Sequence, residues 1–243
     1  MRETIESVIS QTFESWELLL IDDCSSDDSA AIAEMFSARD SRIKVIKLSQ
    51  NSGAAVARNR GIEMARGRFI AFLDSDDLWL PDKLDTQISF MKSNRVSLSY
   101  SSYLKCDSLG EVVGLSEIPN EVVYSDLLKV CSIGCLTAIY DTQTVGKVYM
   151  PLIRKRQDLG LWLKILKLVE SAKGIDTPLA IYRIREGSIS SNKLSAARYT
   201  WRLYRDVEAL RFIPALYYFI HYAFNGVFRN GVSLIKSWTL NKR

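Results

Sequence analysis

Apolar positions along the first ninety residues switch repeatedly between two spacings. Ile5, Val8 and Ile9 recur at helical spacing, and Glu17-Leu18-Leu19-Leu20-Ile21 then makes a short apolar run that stops at Asp22-Asp23. This reads as a helix followed by a buried strand of the parallel type, because a strand covered on both faces loses its polar alternation. Ser25, Ser26, Asp27 and Asp28 supply N-cap chemistry to a helix carrying Ala30, Ile32, Ala33, Met35 and Phe36, and Ile43 to Leu48 predicts the next strand. Gly53 to Ala65 returns to helical composition. Phe69-Ile70-Ala71-Phe72-Leu73 is a second buried run, ending at Asp74, and Pro81 opens a helix that reaches about Met91. The alternation predicts an α/β fold with a mostly parallel central sheet flanked by helices.

After Ser93 the pattern loosens. Val96 to Tyr100 and Cys135 to Tyr140 read as strands, with a turn at Ser108-Leu109-Gly110. A helix beginning near Asp158 carries Leu161, Trp162, Ile165, Leu166 and Leu168, and ends before Gly174; the strand Ile175 to Arg183 follows it. From Lys193 the chain turns basic and helical, then enters the aromatic-rich stretch Phe212 to Phe228, broken by Pro214, His221, Asn225 and Gly226. Two parts are therefore expected: a domain over 1–192 and a basic, aromatic-rich helical extension over 193–243.

Composition narrows the chemistry. With 243 residues, 47% hydrophobic and 25% charged, the chain can build one large core. Cys24, Cys106, Cys131 and Cys135 are scattered and His221 is the lone histidine, so neither a zinc site nor a disulfide framework is supported. A Ser-His-Asp hydrolase is disfavoured for the same reason, which leaves carboxylates as the acid-base and metal groups. No G-x-G-x-x-G follows a predicted strand, and no nucleic-acid partner is expected. The net charge is +4, but Arg198, Arg202, Arg205, Arg211, Arg229 and Lys236 concentrate in the last fifty residues against Asp206 and Glu208, which suggests a nearby anionic surface. The amphipathic start at Met1-Arg2-Glu3-Thr4 lacks an apolar secretory core, so a cytoplasmic location is expected.

Both acidic clusters sit at the carboxyl end of a predicted buried strand, where open α/β sheets place their ligands. In Asp74-Ser75-Asp76 alternate residues of an extended chain project to one side, so two carboxylates can converge on a hard cation such as Mg²⁺ or Mn²⁺ bridging a diphosphate. Asp76 and Asp77 equally suit capping the following helix, and Asp22-Asp23 equally suits a capping loop.

Four blocks in one order make the pattern specific. Ser7-Val8-Ile9-Ser10-Gln11-Thr12-Phe13, Glu17 to Asp27, Asn51-Ser52-Gly53 with Ala57-Arg58-Asn59-Arg60-Gly61-Ile62, and Ala65 to Asp77 together resemble the family 2 inverting glycosyltransferases of the GT-A fold over roughly the first hundred residues. The resemblance implies transfer of a sugar from a nucleotide-diphosphate sugar to a glycan or polyprenyl-linked acceptor, in surface-polysaccharide synthesis, with Mn or Mg as cofactor. By the same resemblance Asp23 contacts the nucleobase, Arg58 and Asn59 lie on the donor-side helix, and Asp74 and Asp76 are the DxD pair. Asp76 is the metal ligand it implies, with Asp74 and Asp77 as further candidates. Arg156-Gln157-Asp158-Leu159-Gly160-Leu161-Trp162 is similar to the block that opens the base-carrying helix, with Gln157 in the usual Glu position and Asp158 as catalytic base. Asp158 alternatively serves only as a first-turn acid facing the helix dipole.

Tyr182-Arg183 with Ser188-Ile189-Ser190-Ser191-Asn192-Lys193 resembles a loop that closes over donor and acceptor, Arg183 meeting phosphate or forming a structural ion pair. The 212–228 stretch is too broken for a transmembrane helix, which needs about 20 apolar residues. It suits either packing on the domain or contact with anionic lipid at the inner membrane face. Members of the resembled family begin with an apolar strand before the helix matched here by Arg2 to Gln11. Its absence implies an unpaired flank in the sheet and an incomplete nucleobase side, from a misassigned start or a truncation. Two rivals remain: a catalytically impaired binding module, and a DxD phosphatase of the haloacid-dehalogenase type using the first Asp as nucleophile.

Overall fold

A computed structural model describes residues 1–184 and 193–225. The helices and strands expected in the first ninety residues are present, as α1 Arg2–Ile9, β1 Leu18–Asp22, α2 Ser29–Ser37, β2 Ile43–Lys47, α3 Ala54–Met64, β3 Phe69–Ala71, which stops short of Leu73, and α4 Lys83–Asn94; a short strand that the pattern did not announce, β4 Leu78–Trp79, lies before α4. Pro81 stays outside α4. Its carbonyl accepts from Thr12 N at 2.9 Å, and Gln11 Oε1 accepts from Leu84 N at 3.0 Å, so the end of α1 satisfies a free amide at the start of α4.

The second half contributes β5 Leu98–Cys106, β6 Val112–Ser116, β7 Glu121–Val122, α5 Tyr124–Lys129, β8 Ile139–Asp141, α6 Thr142–Val145, α7 Gln157–Leu166, β9 Ala172–Arg183 and α8 Lys193–Arg202. A wider, π-type turn at Leu203–Val207 and a last helix, α9, over 212–225 follow. Two sequence expectations are corrected here. The strand expected from Cys135 begins only at Ile139, because Thr137 N and Oγ1 both bond Gly134 O, at 3.0 and 2.8 Å, closing Cys135–Thr137 into a 3₁₀ turn. β9 starts before Gly174 instead of after it. Gly174 lies so close to the neighbouring chain that an added Cβ would stand 2.4 Å from Pro119 O.

The sheet is also more mixed than the mostly parallel one expected. β1 and β2 pair in parallel as a two-stranded unit, while β3-β8-β5-β9-β4 form a larger sheet with β6 on β5 and β7 on β9. Within the larger sheet only β5 and β9 run parallel; the β3–β8, β5–β8, β4–β9, β5–β6 and β7–β9 pairs are antiparallel. A continuous apolar run reports burial on both faces but not the direction of its neighbour. Between β1 and β3 lies a cavity of about 1070 Å³, lined by Leu18 to Ile21 on one side and Phe69 to Leu73 on the other.

The main core stacks Leu98, Tyr100 and Tyr140 of the sheet against Leu159, Leu163 and the fully buried Trp162 of α7. Leu203, Tyr204 and Ala215 join the same core with no exposure, so the chain after 193 packs on the domain up to α9. Glu208 ties this region down: its buried carboxylate pairs with Lys167 at 2.6 Å and accepts from Tyr124 Oη at 2.5 Å.

Candidate active site

The loop after β3 separates its carboxylates. Asp77 N bonds Asp74 O at 3.1 Å, closing a turn, and Thr4 Oγ1 donates to Ser75 O at 2.9 Å. Asp77 points inward: it is 2% exposed and its Oδ1 accepts from Arg183 N at 3.0 Å. Burial pushes its pKa up to about 7, and the charges of Asp74 and Asp76 push the same way against the Arg183 amide. Asp77 thus latches the loop to the end of β9, while Asp74 and Asp76 remain partly exposed.

Arg58, on α3, reaches across to this loop and donates through Nη2 to Asp74. Burial opposes its charge, yet the pKa is raised, because the carboxylates of Asp74 and Asp158 outweigh the burial. One buried guanidinium therefore senses both the carboxylate after β3 and the carboxylate opening α7. Cys135 was not marked by any sequence signal beyond its presence; the 3₁₀ turn carries it into this neighbourhood, where burial raises its thiol pKa well above normal and keeps it protonated. Asn59, next to Arg58, has a different task. Its amide donates to Met150 O at 2.9 Å and accepts from Met150 N at 2.8 Å, fixing the segment that leads into α7.

The cluster after β1 divides in the same way. Asp22 Oδ1 accepts from Ser25 N at 3.0 Å, which closes the turn after β1 and does not cap α2, whose first residue is Ser29. Asp23 grips the loop before α3: its two oxygens accept from Ser52 N and Gly53 N, both at 2.7 Å, while Asn51 Nδ2 donates to Asp23 O at 3.0 Å. Gly53 holds φ at +87°, a conformation glycine adopts without strain. An ionised carboxylate has about four acceptor sites, so two amides leave Asp23 able to accept further donors.

Asp158 lies in the first turn of α7, partly exposed, behind a kink at Arg156 with φ +66°. The position is fixed from behind at Gly160, where an added Cβ would lie 2.4 Å from Pro151 Cγ and 3.1 Å from Leu203 Cδ1. Arg183 is engaged as an ion pair, Nη2 donating to Glu3 Oε2 at 2.6 Å. The loop expected at 188–193 to close over the ligands lies outside the described residues, apart from the backbone of Lys193. Among the described residues no group of three His, Cys, Asp or Glu side chains gathers as a ready metal cage. Two partly exposed carboxylates suit the other mode, in which Mg²⁺ or Mn²⁺ takes one or two carboxylates and completes its shell with substrate phosphates and water.

Known proteins resemble this chain in sequence and in fold. The sequence matches the profile described as Glycosyl transferase family 2 over residues 1–129. It is 43% identical over 228 residues to TuaG of Bacillus subtilis (strain 168), a glycosyltransferase assigned to teichuronic acid biosynthesis, covering 93% of this chain and 90% of TuaG. It is 40% identical over 225 residues to WfgD of Escherichia coli, named a UDP-Glc:α-D-GlcNAc-diphosphoundecaprenol β-1,3-glucosyltransferase, covering 92% of this chain and 87% of WfgD. Among solved structures, S. aureus TarS 1–349 in complex with UDP superposes with a TM-score of 0.66 at 20% identity, over 92% of this chain and 66% of that one. The mannosyltransferase PcManGT from Pyrobaculum calidifontis, in complex with GDP-Man and Mn²⁺, gives 0.63 at 14% identity, over 89% and 64%. At these identities the two structures speak for the fold alone.

Proposed function

Because the chain belongs to glycosyl transferase family 2, and so is a GT-A glycosyltransferase, we propose that it moves a sugar, with inversion, from a UDP-linked or similar donor to a lipid-linked glycan acceptor in surface-polysaccharide synthesis. The observation that carries this reading is Arg58. Its guanidinium pairs directly with Asp74 and feels the charge of Asp158, so the carboxylate after β3 and the carboxylate opening α7 both act on one cation.

In this reading Asp158 accepts the proton of the acceptor hydroxyl as that oxygen attacks the anomeric carbon. The bond from that carbon to the diphosphate breaks on the opposite face, its electron pair leaves with the nucleoside diphosphate, and the configuration inverts. Asp76, with Asp74, would hold a divalent cation, which when bound neutralises charge on the departing diphosphate. Asp23 meets the nucleobase or ribose with its remaining acceptor sites and orders the loop before α3. Arg58 keeps Asp74 in place, and Arg183 exchanges Glu3 for donor phosphate. The acceptors named for WfgD, together with the basic chain after 193, support contact with the inner face of the membrane. No helix among the described residues is long and apolar enough to cross one.

The test is a screen of nucleotide sugars with Mn²⁺ or Mg²⁺ and a polyprenyl-diphosphate-linked sugar, reading released nucleoside diphosphate. Asp158→Asn is expected to lower kcat by about 10²–10⁴ while donor affinity holds. Unchanged turnover in Asp158→Asn overturns the assignment of the base. Release of inorganic phosphate from simple monoesters, with no nucleotide sugar required, would point to the phosphatase instead.

A further inference from the structure

The segment between Met150 and α7 combines features that the transfer step leaves unused. Arg154, Lys155 and Arg156 follow one another immediately before Gln157 and Asp158, and none of the three forms a salt bridge to a carboxylate among the described residues. Arg154 is exposed, and Leu152, two residues earlier, is 73% exposed on the same loop. Gln157 Oε1 is buried without a hydrogen-bond partner. Three cations and an unpaired buried acceptor thus stand beside the carboxylate assigned as base.

The loop is also tied to α9. Arg156 Nη2 donates to Tyr222 Oη, and the guanidinium lies 5.1 Å from the centroid of the Tyr222 ring. On α9, Ala215, Tyr218 and Phe219 pack into the core. Ile213, Leu216, Tyr217, Ile220 and Phe224, spaced at about one helical turn, leave 79%, 40%, 52%, 55% and 64% of their surface exposed. An apolar helix face tied to a loop of cations is the composition of an element that lies in the headgroup region of an anionic membrane, and the same loop carries the exposed Leu152.

We propose that the 151–156 loop and the outer face of α9 form one acceptor cradle, in which Arg154 and Lys155 take the diphosphate of a membrane-held polyprenyl diphosphate and α9 rests in the bilayer surface. The cradle rests on the glycosyl-transfer reading for its purpose but not for its chemistry. Lipid, diphosphate and sugar hydroxyl then line up in that order from α9 through the loop to Asp158. Arg156 is a positioning residue. Its left-handed backbone and its bond to Tyr222 hold the loop against the helix, so membrane docking and base placement share one joint.

The test uses the full chain and three vesicle preparations: phosphatidylcholine alone, phosphatidylcholine with geranylgeranyl diphosphate, and phosphatidylcholine with phosphatidylglycerol at matched surface charge. Co-sedimentation is expected to be at least ten-fold tighter on the diphosphate vesicles than on either of the others. The double variant Arg154→Gln/Lys155→Gln is expected to lose that preference and Arg154→Lys/Lys155→Arg to recover it. Ile213→Glu/Ile220→Glu is expected to lose binding to all vesicles. Equal binding to the two anionic preparations overturns the diphosphate site, and absence of binding to any vesicle overturns the cradle as a whole. UDP affinity, measured by calorimetry on the same proteins without vesicles, reports separately on the donor side. Wild type that binds neither UDP nor GDP, dTDP, CDP or ADP but prefers diphosphate vesicles sinks the transfer reading and leaves the cradle standing. Intact UDP binding with no vesicle preference does the reverse.

Discussion

Lys83 gives the sharpest test of the packing. It sits on α4 with no exposure, its Nζ donating to Gln87 Oε1 at 2.7 Å and to Thr137 O at 3.4 Å, 4.8 Å from the centroid of the Trp79 ring. Neither hydrogen-bond acceptor is charged, and burial lowers the pKa from 10.5 to about 7. A lysine pKa lowered by folding means that the unfolded chain binds more protons between pH 7 and 10.5, so stability rises with pH through that window and the penalty is full below it. At about 1.36 kcal/mol per pH unit the gap amounts to about 5 kcal/mol. Lys83→Met keeps the apolar stem and deletes the charge. It leaves Gln87 Oε1 without this donor, which costs about 1–3 kcal/mol. Lys83→Met is therefore expected to be more stable than wild type by about 2–4 kcal/mol at pH 6, and the advantage should shrink by about 3 kcal/mol at pH 9. Urea unfolding at pH 6, 7.5 and 9 measures both quantities at fixed ionic strength. A variant less stable than wild type at pH 6, or a difference that stays flat across the three pH values, refutes the reasoning.

The other expectations separate roles within the site. Asp77→Asn keeps an acceptor for Arg183 N and should retain turnover within about three-fold, whereas Asp76→Asn should lower it about 10²-fold or more; equal loss in both assays of nucleoside diphosphate release would return Asp77 to the metal. Gly174→Ala places a Cβ 2.4 Å from a backbone carbonyl and 2.8 Å from Ile118 Cδ1, and should lower the urea-unfolding free energy by about 1–3 kcal/mol; an unchanged midpoint contradicts the close approach. Gly160→Ala presses on Pro151 and Leu203 behind Asp158, and is expected to raise the KM for acceptor more than that for donor, a split that steady-state kinetics with each substrate varied would expose.

Legibility in the sequence followed the range of the interactions. Apart from the two-residue β4, the elements from Arg2 to Asn94 could be read because each is set by its local apolar period, and both acidic clusters could be placed because they close apolar runs. Strand direction could not, since the partner of β3 is β8, some seventy residues away. The 3₁₀ turn at Cys135 was hidden by apolar residues that read as strand, and its cause, two bonds converging on Gly134 O, leaves no periodic trace. Asp158 was found only through resemblance. Its proximity to Arg58 follows from the Asn59–Met150 amide pair and the tight packing at Gly160, neither of which a single sequence announces.

For the carboxylates, the choice between capping and chemistry turns out to be a division of labour. An acidic cluster at a strand end repels itself, and the repulsion is relieved where some members accept backbone amides. Asp22 takes Ser25 N, Asp23 takes Ser52 N and Gly53 N, and Asp77 takes Arg183 N, each stiffening a loop beside the pocket. Arg58 offsets the charge of Asp74 and feels that of Asp158, which lets two carboxylates occupy one neighbourhood. The acids that look redundant in Asp22-Asp23 and Asp74-Ser75-Asp76-Asp77 are thus the means by which a few of their neighbours stay partly exposed on loops that are fixed in place. Removal of a gripping acid such as Asp23 should therefore weaken donor binding even where it touches no donor atom, because the Ser52-Gly53 loop that opens α3, and with it Arg58, loses its anchor.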